Sequence, residues 1–346
     1  MHDLLQAIVQ ATRIAAPAVI HKAEAIVAPH DLVPYLGQGR HTGRESNLAY
    51  HNSLMVQFWS SLASGDTAMM TDVLDRHFPA SFRRAQWATY IRCHDDIGWA
   101  ITEDDAERHP PLTGPGHRTF LTDFYTGHCP GSFARGQDFQ VNETTGDRRT
   151  NGTFASLAGL EIAIERGDPG LISLAVDRIL MGHALIAAFG GMPLIYMGDE
   201  IGMLNDRSYL DDPDLAPDSR WMQRPVMDWA TARTAARADT PQGWIWRGVR
   251  HIMARRKVTP QLAGGVATEI LPLANRALFA LRRPGDVAAL TAVFNFSGHW
   301  QTVRGADLGL HTGTPYFDTL AGQPAMDGGG LLSLPPHGRV WLVPES

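Results

Sequence analysis

Cysteine is nearly missing from this chain. Two cysteines in 346 residues, Cys93 and Cys129, allow neither a disulfide framework nor a cysteine-built zinc site. Cys93 lies inside an apolar run, which suits a small buried hydrophobe better than a nucleophile. An excess of positive charge is missing too. With 36 acidic and 30 basic residues the formal net charge is -6, so nothing calls for a nucleic acid or an anionic membrane as partner. No basic segment precedes the apolar part of MHDLLQAIVQATRIAAPAV, so no export signal is legible and the reading is cytoplasmic. An unbroken apolar run of membrane length is also lacking. The longest candidate, residues 171–195, carries Asp177, Arg178 and His183 and is interrupted by Gly190-Gly191; it reads as a buried helix followed by a strand. Repeats, heptads and low-complexity tracts do not stand out.

What is present is ordinary soluble-protein material, 44% apolar and 19% charged, in a chain long enough for more than one domain. The 9 tryptophans fit sugar-stacking platforms and a plain core equally well.

The most informative stretch is YIRCHDDIGW at 90–99. An apolar strand-like run over 87–93 ends in His94-Asp95-Asp96 and breaks at Gly98. Charged groups at the C-terminal end of a strand are where α/β barrels place their chemistry. Two adjacent carboxylates raise each other's proton affinity, a cost that is more common at functional sites than elsewhere. A capped loop or a surface salt-bridge cluster is the plainer reading. Two further strand-like runs carry acidic residues: AVIHKAEAIVA at 18–28, with Lys22 and Glu24, and PLIYMGDEIGMLN at 193–205, with Asp199 and Glu200. Helix-rich stretches separate the three, an order that predicts βα units around a parallel sheet.

Apolar spacing predicts a helix over 4–16 and strands over 18–27, 87–93 and 193–198. It also predicts a strand end and helix over 48–63, and helices over 67–78, 171–189 and 244–256. Residues 97–160 turn rich in Pro, Gly, Thr and Arg and are too long for a simple connection, which predicts an inserted subdomain on a barrel loop. From about residue 262 short alternating runs punctuated by Gly, Pro and Asn predict an antiparallel β domain.

Glu24 is a candidate acid/base; equally, residues two apart on a strand share a face, so it can simply pair with Lys22. His183 sits on an apolar helix face and reads as a core histidine, and Asp199 and Glu200 as supports for a strand end. A metal-hydrolase reading of His94-Asp95-Asp96 lacks a further ligand at suitable spacing.

Several segments, taken in order, resemble the α-amylase superfamily (glycoside hydrolase family 13), and within it the amylosucrases and sucrose hydrolases. They are AEAIV at 23–27, RCHDDIGW at 92–99, GSFARG at 131–136, TGDRRTNGTFASLAGLE at 145–161, PLIYMGDE at 193–200 and DSRWMQRP at 218–225. The resemblance implies a partial (β/α)8 TIM barrel, its second half, over 1–258. It places an inserted subdomain at about 97–163 and an all-β sandwich at 262–346. It implies Glu24 as general acid/base, with His94 and Asp95 holding the innermost glucose and Asp95 favouring the oxocarbenium-like transition state. Asp96, Arg149 and Gln140 would form the rim that recognises fructose or acceptor, although Arg149 can also be a solvated charge beside Arg148. Arg220 would form an ion pair at the pocket floor, with an Asp outside these residues. The family's nucleophile, on an Arg-x-Asp strand, would precede Met1, so the implied chain is truncated and has no normal turnover by itself. The implied reaction moves glucose from sucrose to an α-glucan or to water and uses no cofactor and no metal. A sucrose hydrolase and an inactive carbohydrate-binding remnant are the competing expectations.

Overall fold

The computed structural model describes residues 2–311, 313–326 and 330–345. Its centre is a parallel four-stranded sheet, in which β1 (Lys22–Ala23), β2 (Leu48–Tyr50), β3 (Gln86–Thr89) and β6 (Met192–Pro193) lie side by side in that order. The registers are Lys22 opposite Leu48, Leu48 opposite Gln86 and Ala88 opposite Met192. All three predicted strands are shorter than apolar spacing suggests. Residues 18–27 pair only at Lys22–Ala23, 87–93 stop pairing at Thr89, and 193–198 stop at Pro193. Strand pairing lapses where the neighbouring chain turns away, and side chains take over the bonding there.

Long helices return the chain from β2 to β3 and from β3 to β6, as parallel pairing requires, whereas β1 reaches β2 through the four-residue helix Pro29–Leu32 and short 3-10 turns. Helix Asn52–Ser64 is buried on nearly all sides; the His51 ring accepts from Leu54 N at its start, and Gly65 at φ 70 ends it. Helix Pro169–Phe189 begins with Asp168 accepting from Gly170 N and Leu171 N, with proline in its first turn. It is long and apolar enough to cross a membrane, but most of it is packed inside the protein. It ends on Gly190 and Gly191, both at positive φ. A Cβ on Gly191 would stand 2.3 Å from Trp87 O of β3, so only glycine lets the chain turn this close to the strand. Helices His2–Ala15, Ala68–His77 and Pro241–Lys257 match their predicted spans within a few residues.

Between β3 and the long helix lie helices Glu103–Glu107 and Gly114–Tyr125 and an antiparallel hairpin of β4 (Gln137–Phe139) and β5 (Arg149–Asn151). This segment has no separate core. Leu121, Phe124, Tyr125 and Phe154 belong to the same buried cluster as Phe58 and Trp59, and Tyr125 OH donates to Trp59 O at 2.5 Å.

The C-terminal part is a six-stranded antiparallel sheet. Its order is β12 (Gln323–Met326), β11 (Tyr316–Asp318), β14 (Arg339–Pro344), β9 (Leu290–Asn295), β8 (Leu278–Arg283) and β7 (Glu269–Leu271). The pair β10 (Gln301–Arg304) and β13 (Leu331–Leu334) covers one face. Strand periodicity explains the split. Phe279, Leu281, Ala292 and Phe294 face the main core, whereas Leu278, Ala280 and Val293 face Val303, Leu332 and Leu334. The buried Arg283 joins this sheet to the long helix by donating to Phe189 O at 2.8 Å and Ala263 O at 2.8 Å.

Three imidazoles are buried neutral. Burial pushes His51 down to about 3, His183 to about 4 and His337 to about 3, the last helped by the Arg178 charge. Their folded values lie below the ordinary 6.5, so the unfolded chain binds more protons between those limits and stability falls as the pH drops through that window. Each imidazole then costs roughly 1–2 kcal/mol at pH 5 relative to pH 7. Urea unfolding at pH 7 and pH 5 should show this loss, and His183→Gln should shrink the difference by roughly that amount. An identical pH dependence in the parent and His183→Gln would contradict neutral burial of His183.

Candidate active site

The C-terminal ends of β1 and β3 bring the first candidates together. Glu24 follows β1 directly, and its Oε1 lies 3.3 Å from His94 Nε2. Asp95 completes the group: the nearest ligand atoms of Glu24, His94 and Asp95 all lie within 4.8 Å of one another. The alternative Lys22–Glu24 pair is not made. Lys22 Nζ donates to Tyr50 OH at 2.6 Å and sits over that ring. The trio has the donor types for a cation, but Glu24 and His94 are about half exposed and an arginine already balances Asp95.

That arginine is Arg220. Its Nη1 donates to Asp95 Oδ1 at 2.9 Å, while Nε and Nη2 bind Asp218. The expectation of a partner outside these residues is therefore corrected. Both partners of Arg220 are in the chain, and Asp218 is two residues away, where a 3-10 turn at Ser219–Gln223 folds its carboxylate back onto Arg220. Burial works to raise the Asp95 pKa, but the Arg220 hydrogen bond and charge, with the Asp96 backbone N–H, outweigh it and hold the carboxyl below its ordinary value. Asp96 goes the other way: burial raises it, and the Asp95 charge adds to this against the pull of Arg149.

Asp96 does not offer an open carboxylate at a rim. Its side chain is 3% exposed and tied to Arg149 Nη1 at 3.1 Å. Gln140, at φ 48 just beyond β4, and Arg149 line a groove of about 660 Å³ together with Ile26, Trp99 and Val141. A smaller pocket of about 290 Å³ between Thr67 and Arg276 is lined by none of these residues.

Residues that sequence reasoning passed over hold the site in place. Gln223 is buried; its Nε2 donates to Asp95 O at 2.7 Å and its Oε1 accepts from Gly152 N at 2.9 Å. Arg224 Nε donates to His94 O at 2.6 Å. Both sit in the DSRWMQRP segment already noted for Arg220, three and four residues beyond it. Beneath them Arg92 Nε donates to Asp199 Oδ1 at 2.8 Å, both side chains nearly inaccessible, and Arg92 Nη2 donates to Gln223 O at 3.1 Å. Asp199 and Glu200 thus brace a strand end, Glu200 by accepting from Gly198 N. His183 is a core histidine, stacked on Phe154.

No protein-family model matches the chain. Among curated proteins it is similar to the trehalose synthase of Pimelobacter sp. (strain R48), 24% identical, with 92% of this chain and 54% of the relative covered. It is similar also to the trehalose synthase/amylase TreS of Mycobacterium tuberculosis, 24% identical, covering 94% and 52%. The chain thus spans about half the length of these two relatives. Among solved structures it resembles AmyP in complex with maltose, with TM-score 0.59, 14% identity and 99% and 61% coverage. It also resembles the α-amylase of Geobacillus thermoleovorans complexed with acarbose, with TM-score 0.60, 14% identity and 100% and 57% coverage. At such identity the structures show the fold, a partial barrel with an all-β C-terminal sheet. Together the matches support the α-amylase superfamily and do not single out amylosucrase.

Breaking the buried Arg92–Asp199 pair leaves a charge without a partner. Arg92→Met should cost about 3–5 kcal/mol in urea unfolding. Arg92→Met combined with Asp199→Leu should recover most of that loss. A cost below about 1 kcal/mol for the single change would show that the pair does not hold these strand ends.

Proposed function

We propose that this site binds the glucosyl unit of an α-glucoside, sucrose in the first place, and supports its retaining transfer to an α-glucan or to water. The single observation that carries the reading is the convergence of Glu24, His94 and Asp95 within 4.8 Å; the groove lined by Gln140 and Arg149 includes none of the three, and comes nearest to them in sequence at Ile26 and Gly98. Retaining glycoside chemistry needs one carboxyl that gives and takes a proton and one ionised carboxylate that bonds to C1 as the leaving oxygen departs. The resemblance places that nucleophile on an Arg-x-Asp strand outside these residues, which leaves Glu24 the first part and Asp95 a supporting charge. Glu24, half exposed and with His94 as its side-chain partner among the described residues, takes the first part. It gives its proton to the leaving glycosidic oxygen and later removes one from the acceptor hydroxyl. Asp95, kept ionised by Arg220, supplies negative charge where the sugar C1–O5 unit becomes positive. His94 donates to a sugar hydroxyl. The groove lined by Gln140 and Arg149 receives the acceptor.

Sucrose is chosen because the RCHDDIGW and DSRWMQRP segments resemble those of amylosucrases; Arg220 and Gln223 of the second segment hold Asp95 of the first. Maltose and trehalose are the comparators, because the curated relatives carry the name trehalose synthase. One observation favours a second role for Asp95. Its nearest carboxylate oxygen lies within 4.8 Å of a Glu24 oxygen, close enough for the two to act on one sugar, which would suit a nucleophile.

The truncated chain implied by the resemblance should bind sucrose without sustained fructose release. If Asp95 serves as nucleophile and the chain does turn over, fructose release should fall by about 10²–10⁴-fold in Glu24→Gln and by about 10²–10³-fold in Asp95→Asn. Consumption of maltose or trehalose with sucrose left intact would overturn the donor. Failure to bind or consume any of the three would overturn the glucosyl site itself. A 2-fluoro-glucosyl donor that leaves an adduct on Asp95, seen by peptide mass spectrometry, would make Asp95 the nucleophile.

A further inference from the structure

Outside the glucosyl site, helix His2–Ala15 docks on the loop before β2 by one face: His2, Gln6, Val9 and Arg13, at spacings of four, three and four. Of these, only Val9 is a buried apolar anchor, and Arg13 Nη1 donates to Gly43 O at 2.8 Å. At the helix start the contact is entirely polar. His2 Nδ1 lies 2.6 Å from Glu45 Oε1, Gln6 Nε2 lies 3.1 Å from the same oxygen, and His41 Nδ1 lies 3.8 Å from it. The two imidazoles stack at 4.2 Å, and Gln6 Nε2 is 2.6 Å from His41 Nδ1.

Glu45 is the unusual member. Its side chain is fully inaccessible, and among the described residues no lysine or arginine lies within salt-bridge distance of it. Two groups lie within hydrogen-bond distance of Oε1, His2 Nδ1 and Gln6 Nε2, while Oε2, also buried, accepts nothing. A buried carboxylate with a bare oxygen and only imidazoles for company is short of positive charge. From these residues we propose that His2, His41 and Glu45 form a site for a borderline divalent metal ion such as zinc, which pins the N-terminal helix to the loop.

The donor chemistry fits. Imidazole nitrogen and carboxylate oxygen are the ordinary set for zinc, copper and nickel. Neighbouring donors of a tetrahedral zinc with bonds of about 2.0–2.1 Å stand about 3.3 Å apart. The donors lie 2.6, 3.1 and 3.8 Å from Glu45 Oε1, which brackets that value, and because the two rings stack with planes 9° apart, one of them must turn to aim its nitrogen at a shared ion. Turning the Gln6 amide over brings its oxygen inward as a fourth donor. Binding displaces the proton that His2 Nδ1 shares with Glu45, so affinity rises with pH. His41 bound through Nδ1 carries its proton on Nε2, where the exposed Arg40 now donates at 3.2 Å. Arg40 must therefore swing away, and its charge opposes the ion. The inference stands apart from the sugar chemistry, because none of these residues belongs to the glucosyl site.

The test is zinc titration of the tag-free protein against a chromophoric chelator at pH 7.5, with cobalt(II) absorption reporting geometry. One equivalent should bind, with a tetrahedral cobalt band in the visible. His2→Ala, at the partly exposed start of the helix, should weaken binding at least tenfold, as should His41→Ala and Glu45→Gln, with far-UV circular dichroism confirming that each variant is folded. Arg40→Ala should bind at least as tightly as the parent. Zinc should raise the thermal midpoint of the parent and leave that of His2→Ala unmoved. Stoichiometric binding that survives both His2→Ala and His41→Ala would assign the metal to the other histidines and overturn the proposal, as would the absence of binding.

Discussion

The buried pair of Arg92 and Asp199 is the constraint on which the rest of the site depends. It joins the end of β3 to the turn after β6 where strand pairing has already stopped. The same guanidinium reaches Gln223 O, and Gln223 in turn reaches Asp95 O and Gly152 N. One charge pair thus ties two strand ends, the 218–225 segment and the β5 side of the hairpin into a single frame. A buried ion pair is seldom worth much as net stability, because desolvation offsets the attraction. Its value here is geometric: each arm of the planar guanidinium fixes a different segment, which a point charge on a flexible stem does less well.

On that frame, two adjacent carboxyls are driven apart in proton affinity. Asp95 and Asp96 share a backbone bond, yet Arg220 keeps one low while burial keeps the other high. The difference lies in the partners' exposure and direction. Arg220 meets Asp95 with a fork already aligned by Asp218, whereas Arg149 approaches Asp96 from solvent with half of its side chain exposed. A site that must keep one carboxylate charged beside a second gains from this asymmetry, since two equally charged neighbours would each weaken the other.

Much of this was legible in the sequence, and the parts that were not share a cause. Helix spans followed from apolar spacing and from Pro and Gly punctuation, and Asp168-Pro169 with Gly190-Gly191 marks both ends of the longest helix. The C-terminal β region followed from period-two alternation. Strand lengths did not, because apolar residues continue past the last pairing: Tyr90 and Ile91 are buried without a ladder. The grouping of Glu24 with His94-Asp95 came from motif order. The partner of Arg220 was misjudged because Asp218 folds back through a short turn, a local geometry that no periodicity announces. Gln223 and Arg224 were missed because a glutamine or arginine bonded to backbone carbonyls leaves no pattern of its own. Residues 2, 41 and 45 were missed for a related reason: the ligand spacing exists only after the helix docks.

The members of the site are held unevenly, and the unevenness matches the chemistry proposed for them. Asp95 is fixed at three points, by Arg220 at its carboxylate, by the Asp96 N–H and by Gln223 at its carbonyl. Glu24 hangs from a strand with two paired residues, steadied upstream where Asn47 and His21 exchange hydrogen bonds. Its one side-chain partner is a half-exposed imidazole. A group that stabilises developing charge works best when it does not have to move, because the reorganisation has been done in folding. A group that protonates a leaving oxygen and then draws a proton from a different molecule must exchange partners, and tight packing would hinder that. The rigid carboxylate and the loosely held one therefore suit the two different roles proposed for them.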